Sequence, residues 1–352
     1  MLATSRTRTL LLSSRRPALR RRLAALVLYA VVTATVADGG STMASLGFAP
    51  THGGTLNGAV ASQPAQRALT NVPTFGGCRV FPANNAYNTP ISNLPVRPES
   101  AATIARTTAT GGWNKMRFAF WSEPTSGMHP ISVPANQPLV PITYTHYPQE
   151  SDPGPMPIPL DAPREDNTDK HILVVQQGTC RLFELWLTTR NNATGGWNAG
   201  TGAIWDLASN ATRPPNWTSA DAAGLPILPG LLRYEEVASG RINHALRMLV
   251  GTSRNAYIAP ATHQVGVNDP HLFPMGARLR LRADFDLSGF TGQSLVIATA
   301  MKEYGVIVAD QGPVWMISGV GDSRWNDTNM DQIRNIPASA FEYVDNGPVV
   351  LR

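Results

Sequence analysis

Apolar and polar residues alternate in short runs along most of this chain, the period-two pattern of half-buried strands. The pattern predicts strands at 141–146, 171–175, 181–188, 203–207, 241–250, 277–284, 305–309 and 314–318. Proline and glycine recur between the runs and punctuate them as turns, so long helices are not expected. A helix is predicted at 294–304, where Leu295, Ala298 and Met301 share a face and Gly305 supplies the stop. The run 225–232 is apolar, but Pro226, Pro229 and Gly230 oppose a regular element and predict a buried loop. Together these features predict an all-β fold, a two-sheet β-sandwich of jelly-roll kind with one or two peripheral helices. A barrel is the alternative.

The first 37 residues follow another pattern. Arg6, Arg8, Arg15, Arg16, Arg20, Arg21 and Arg22 precede the first acidic residue, Asp38. An uncharged apolar run at 23–37 follows, with small residues Thr35 and Ala37 at its end. This arrangement predicts a cleavable signal peptide at 1–37 and a secreted, extracellular destination. The run falls short of the roughly 20 apolar residues a spanning helix needs, and a tether formed by an uncleaved signal is the alternative. Residues 14–20 also resemble a twin-arginine export signal, with Ala18 where that pattern prefers an aromatic residue. Residues 38–75 are rich in Gly, Ala, Ser, Thr and Pro and predict a flexible linker. The sandwich domain is expected at 76–345, with a tail at 346–352.

Removing the leader changes the charge argument. It holds seven of the 29 Lys and Arg residues, leaving 22 against 24 acids, a net of −2. The formal +5 of the whole chain therefore gives no reason to expect a nucleic-acid partner, and no lysine cluster exists to revive one. No membrane partner is expected once the signal is gone, and a monomer is expected. Cys78 and Cys180 both lie in the exported part, where an oxidising compartment favours one disulfide; two free buried thiols are the alternative. Asn192, Asn210, Asn216 and Asn326 begin Asn-x-Ser/Thr sequons that would mark surface loops in a glycosylating host.

Several polar residues stand where the pattern turns them inward. Glu184 shares a strand face with Leu182 and Trp186, so it needs an Arg, a hydrogen-bond network or a raised pKa. It is a candidate acid or base. Asp206 alternates with Trp205 and is the second candidate carboxylate, with a backbone-bonded turn as the plainer reading. In the stretch 217–236, Asp221 and Glu235 or Glu236 would stand at the rims of a loop folded under a cleft floor. His244 alternates with Ile242 and Leu246, either as a core residue or as an assisting acid or base, while Arg247 points the other way. Trp186, Trp205 and Trp217 are candidate platforms for sugar faces. Arg278, Arg280 and Arg282 share one face of a strand, either solvated or binding an acidic polysaccharide together with Arg247. His171 after Asp169 and Lys170, and His263 and His271 near Asp269, would allow a metal site without requiring one, so no cofactor is expected. No phosphate-binding Gly-rich loop, Gly-x-Ser-x-Gly elbow or His-Glu-x-x-His motif is present.

Three stretches read together, 150–159 (ESDPGPMPIP), 218–236 (from TSADAAGLPILPGLL to the paired Glu235 and Glu236) and 274–278 (PMGAR), resemble a group of exported bacterial proteins of uncharacterised function. The resemblance covers 78–345 and implies export without an assigned activity. Paired carboxylates are what cleavage of a glycosidic bond requires. The function expected is therefore a secreted carbohydrate-active enzyme, a glycoside hydrolase or polysaccharide lyase. A non-catalytic glycan-binding or surface protein is the alternative.

Overall fold

A computed structural model describes residues 72–110 and 115–351; the expected signal peptide and nearly all of the expected linker lie outside these residues. The chain is mostly β, as its pattern predicts. One sheet has four strands in the order Thr201–Asp206, Arg181–Trp186, Ile172–Gln176 and Ile131–Val133. A second has six, in the order Phe341–Val344, Arg278–Leu281, Val306–Gln311, Leu246–Val250, Met316–Ile317 and Arg117–Phe118. A three-stranded sheet joins Ile142–Tyr144, Gly196–Ala199 and Thr189–Asn191. Each expected strand has its counterpart here, displaced by a few residues at most ends.

The four-stranded sheet is apolar on both faces, which explains why its strands read as nearly continuous hydrophobic runs. Ile172, Val174, Phe183 and Leu185 pack with Met156, Ile158 and Trp197. The opposite face carries Leu173, Val175, Leu182, Ala203 and Trp205, and it packs on Ile227, Leu228 and Leu231 of the proline-rich loop. The same loop gives Ala223, Leu225 and Leu232 to the core of the six-stranded sheet, beside Leu246, Met248, Leu279 and Val308. The buried loop expected at 225–232 is thus a wedge shared by the two main cores. Burying each Leu or Ile side chain there contributes about 1.5–3 kcal/mol.

A buried loop must also satisfy its backbone. Pro226 and Pro229 carry no N–H, which removes two donors from that account. Gly230 N–H donates to Ile227 O at 3.1 Å and Leu231 N–H to Leu228 O at 3.2 Å, the turn of a short 3₁₀ helix, while Leu232 N–H reaches Ser318 O at 3.0 Å. The N–H groups of Ile227 and Leu228 go to a side chain of the facing sheet, described below. Gly230 has no side chain for a reason of space: a Cβ there would stand 2.8 Å from Arg247 Cβ.

The predicted helix is present at Gly292–Glu303, and among the described residues three others that the pattern did not predict occur at Ser100–Thr110, Tyr234–Ala238 and Asp327–Arg334. The first buries Ser100, Thr103, Ile104 and Thr107, a helical spacing written largely in hydroxyl residues and so invisible to hydrophobic periodicity. The last buries only Met330 and Ile333 and is capped by Asn326, whose side chain accepts from Asn329 N–H. Cys78 and Cys180 form the expected disulfide across a sequence separation of 102 residues. Paired strands run beyond the expected boundaries at both ends. Thr74–Phe75 pairs with Cys78–Arg79, and Val350–Leu351 pairs with Ala256–Tyr257. Among the described residues, no helix is long and apolar enough to cross a membrane.

Candidate active site

Glu184 lies in the middle of the Arg181–Trp186 strand, opposite Ala203 on one side and Leu173 on the other. Its side chain leaves the sheet toward the wedge loop. There Oε1 accepts from Ile227 N–H and Leu228 N–H, both at 2.9 Å, and Oε2 accepts from Trp205 Nε1–H at 3.1 Å. Burial pushes this carboxyl up to about 7, against the pull of the donors. The residue is fully buried and both oxygens are engaged, so no substrate reaches it. The inward acid expected from the strand pattern has the hydrogen-bond network it needs, and its place is that of a loop anchor. Trp205 serves the same anchor from within the core and is buried too, which removes it as a sugar platform.

Beyond the anchor, the loop carries Asp221 into contact with Arg247. The guanidinium donates from Nε to Asp221 Oδ2 at 2.7 Å and from Nη2 to Asp221 Oδ1 at 2.9 Å, the fork geometry in which Arg matches a carboxylate. From the same group, Nη2 reaches Asp310 Oδ2 at 3.0 Å and Nη1 reaches Ser318 Oγ at 2.6 Å. One cation thus serves two acids. Asp221 is sealed, whereas the Asp310 side chain keeps 26% of its exposure. Burial raises the Asp310 carboxyl to about 7; Asp221 adds to the rise and Arg247 opposes it.

Asp310 opens into a pocket of about 250 Å³. Asp169, Trp186, Tyr147, His263, Thr201 and Gln311 also line it, with the Asp221 segment forming another part of the wall. Asp169 holds the Trp186 indole by accepting from Nε1–H at 3.1 Å. The His146 ring meets Trp186 edge-on, with centroids 5.6 Å apart. His263 donates from Nδ1 to Ala222 O at 2.7 Å, which turns Nε2 into the acceptor in the neutral ring. Behind the wall, buried His171 bridges Glu165 Oε2 at 2.5 Å and Ala220 O at 3.0 Å. Burial alone would lower the His171 pKa, but Glu165 outweighs it and the net direction is upward. A carbonyl can only accept, so the nitrogen facing Ala220 carries a proton. The arrangement fixes the turn on which Asp221 stands.

Of the residues expected to form a site, the pocket brings together Asp221 and Trp186, with Arg247 behind them. The others are elsewhere. Asp206 is exposed and accepts from Ala208 N–H at 2.9 Å, the plain turn reading. Glu236 and His244 meet each other at 3.1 Å beside Arg233, and Glu236, Arg233 and Glu235 line a separate cavity. There burial is overcome by His244 and Arg233, and the Glu236 carboxyl is pulled down to about 2, which fits an ion pair. His244 is buried, with its other nitrogen on Ala245 O. Trp217 lies under the Arg213 guanidinium, 5.5 Å from ring centroid to Cζ, and does not line the pocket. Arg278 and Arg280 do not form an anion-binding face. Arg278 is buried and donates to Ala86 O and Tyr304 O, while Arg280 pairs with Glu342 and caps the carbonyls of Ile91, Ser92 and Leu94.

Asp310 and Tyr147 were not among the expected site residues, and Asp169 and His263 were named only beside a metal site that the sequence allows without requiring. Asp310 follows directly on the apolar run Val306-Ile307-Val308-Ala309, so a polar residue at the end of a buried strand was its signal. Asp169 and His263 stand in loops, where no period marks them. Among the described residues, no group of three or more His, Cys, Asp or Glu side chains is arranged to hold a metal ion. Compared with protein-family models, with curated proteins and with solved structures, the chain matches none.

Proposed function

We propose that this chain is an exported carbohydrate-active enzyme, a glycoside hydrolase, whose site is the pocket of Asp169, Trp186, His263 and Asp310. One observation carries the reading: two carboxylates, Asp169 and Asp310, open on a single pocket that has an aromatic wall. Cleaving a glycosidic bond takes one carboxyl group to protonate the leaving oxygen and another to act as base or nucleophile. Asp310, raised to about 7, holds a proton at mildly acidic pH and suits the first role. Asp169 takes the second. Trp186 and Tyr147 offer flat apolar faces for a sugar ring, and His263 Nε2 adds an acceptor beside them. The basic and apolar pattern of residues 1–37 supports export, as does the Cys78–Cys180 disulfide.

The test is to incubate the purified protein with a panel of polysaccharides and measure released chain ends, beside Asp310→Asn and Asp169→Asn. Loss of a general acid or base costs about 10²–10⁴ in rate, so each variant is expected to release at least about a hundredfold less. Release unchanged in both variants would remove this pocket from the reaction. Binding of glycan without release would make the chain a glycan-binding protein.

A further inference from the structure

The charge of the pocket says which kind of sugar it takes. Its walls hold three carboxylates, Asp169, Asp221 and Asp310, and no Lys or Arg is among the lining residues. The cation directly behind them, Arg247, is fully buried and already spent on Asp221, Asp310 and Ser318. His171 lies behind the wall as well and is bound to Glu165 and Ala220 O. Lys170, next along the chain, pairs with Asp166 at 3.6 Å. Even with His171 and His263 both counted as imidazolium, four carboxyl groups (Glu165, Asp169, Asp221 and Asp310) face three cations (Arg247, His171 and His263). A buried imbalance of this kind is relieved by a proton or by a positive charge on the ligand.

A second, independent feature favours the ligand. Tyr147 keeps 45% of its surface exposed at the pocket although it is a large aromatic residue, and Trp186 stands in the same wall with its indole fixed by Asp169. Aromatic faces of this sort attract an ammonium as well as a sugar ring. A uronate or sulfate group would instead meet Asp169 and Asp310 with no free guanidinium to receive it.

We propose that the pocket selects an amine-bearing sugar over neutral and acidic ones, its ammonium held in the negative field of the Asp169, Asp221 and Asp310 wall against the Trp186 and Tyr147 rings. The ammonium part rests on the charge and the aromatic wall; the sugar part rests on the function proposed above. The probe is the Trp186 indole N–H signal of the ¹⁵N-labelled protein, titrated with methyl glucosaminide, methyl glucoside, methyl glucuronide and piperidinium. The glucosaminide is expected to bind at least about tenfold more tightly than the glucoside, the order of one partly screened ion pair. The glucuronide is expected to be weakest. The gap should narrow as salt is added to the wild-type protein, a readout that needs no variant to fold, and should close in Asp310→Asn.

Glucoside or glucuronide binding as tightly as glucosaminide would overturn the amine preference while leaving the carbohydrate reading in place. Piperidinium moving the Trp186 signal when no sugar does would uphold the ammonium preference and remove the carbohydrate reading. No response to any of the four would remove both.

Discussion

Arg247 binds Asp221 through two parallel hydrogen bonds of 2.7 and 2.9 Å, with both side chains sealed from solvent. This pair fixes the wedge loop to the Leu246–Val250 strand, and through Asp310 it sets the charge of the pocket. Removing one partner of a buried ion pair costs about 3–5 kcal/mol, because the other charge stays buried alone. Arg247→Met is expected to lose that much stability in urea unfolding. Arg247→Lys should recover only a minor part, since one ammonium cannot supply the fork that holds Asp221 and still reach Asp310 and Ser318. Full recovery with Lys would mean that charge alone, without geometry, is what the site requires.

Glu184 should matter for stability and not for chemistry. In Glu184→Gln the amide oxygen replaces one acceptor, but the new NH₂ faces backbone or indole donors that have nothing to accept from it. The expected loss is about 2–4 kcal/mol, the cost of buried groups left unsatisfied. Rate per folded molecule should be unchanged. A rate falling a hundredfold at unchanged stability would return Glu184 to the mechanism.

The dependence of stability on pH has a defined sign. Glu184 and Asp310 are raised from ordinary values of 4.5 and 3.8 to about 7, so the folded chain holds their protons more tightly than the unfolded chain. Their contribution is complete below the unfolded values and is lost as pH rises through about 7. His171, also raised, acts in the same direction. Glu236 is lowered from 4.5 to about 2, and its contribution is lost as pH falls through that range. Thermal melts are therefore expected to peak near pH ~5 and to decline toward pH ~8. A Tm that rises between those two values would contradict the assignment.

The Cys78–Cys180 bond closes a long loop around the entry to the domain and the strand that carries Glu184. Replacing both cysteines by serine is expected to cost about 4–5 kcal/mol in the chain-entropy model. Urea unfolding of the double variant measures it. The Trp186 signal should keep its position if, as expected, the pocket itself does not depend on the bond.

Much of the molecule was legible in one dimension. Strand positions at 171–175, 181–188 and 277–284, the helix near 294–304, the buried loop at 225–232 and the need of Glu184 for a network all follow from alternation and from the cost of burying polar groups. These depend on neighbours in sequence, or on the difference between water and a protein interior, and a sequence carries both. The site depended on something else. Asp169 and His263 come from separate loops, and Asp310 from the end of a central strand in the other sheet. They meet because the wedge loop packs against both sheets at once. Contact between residues so far apart is decided by how the sheets close, and no local period encodes it. The same closure placed Glu184 and Trp205 beneath the loop, where they hold structure, and left Asp310 at the surface of the pocket, where a carboxylate is able to act.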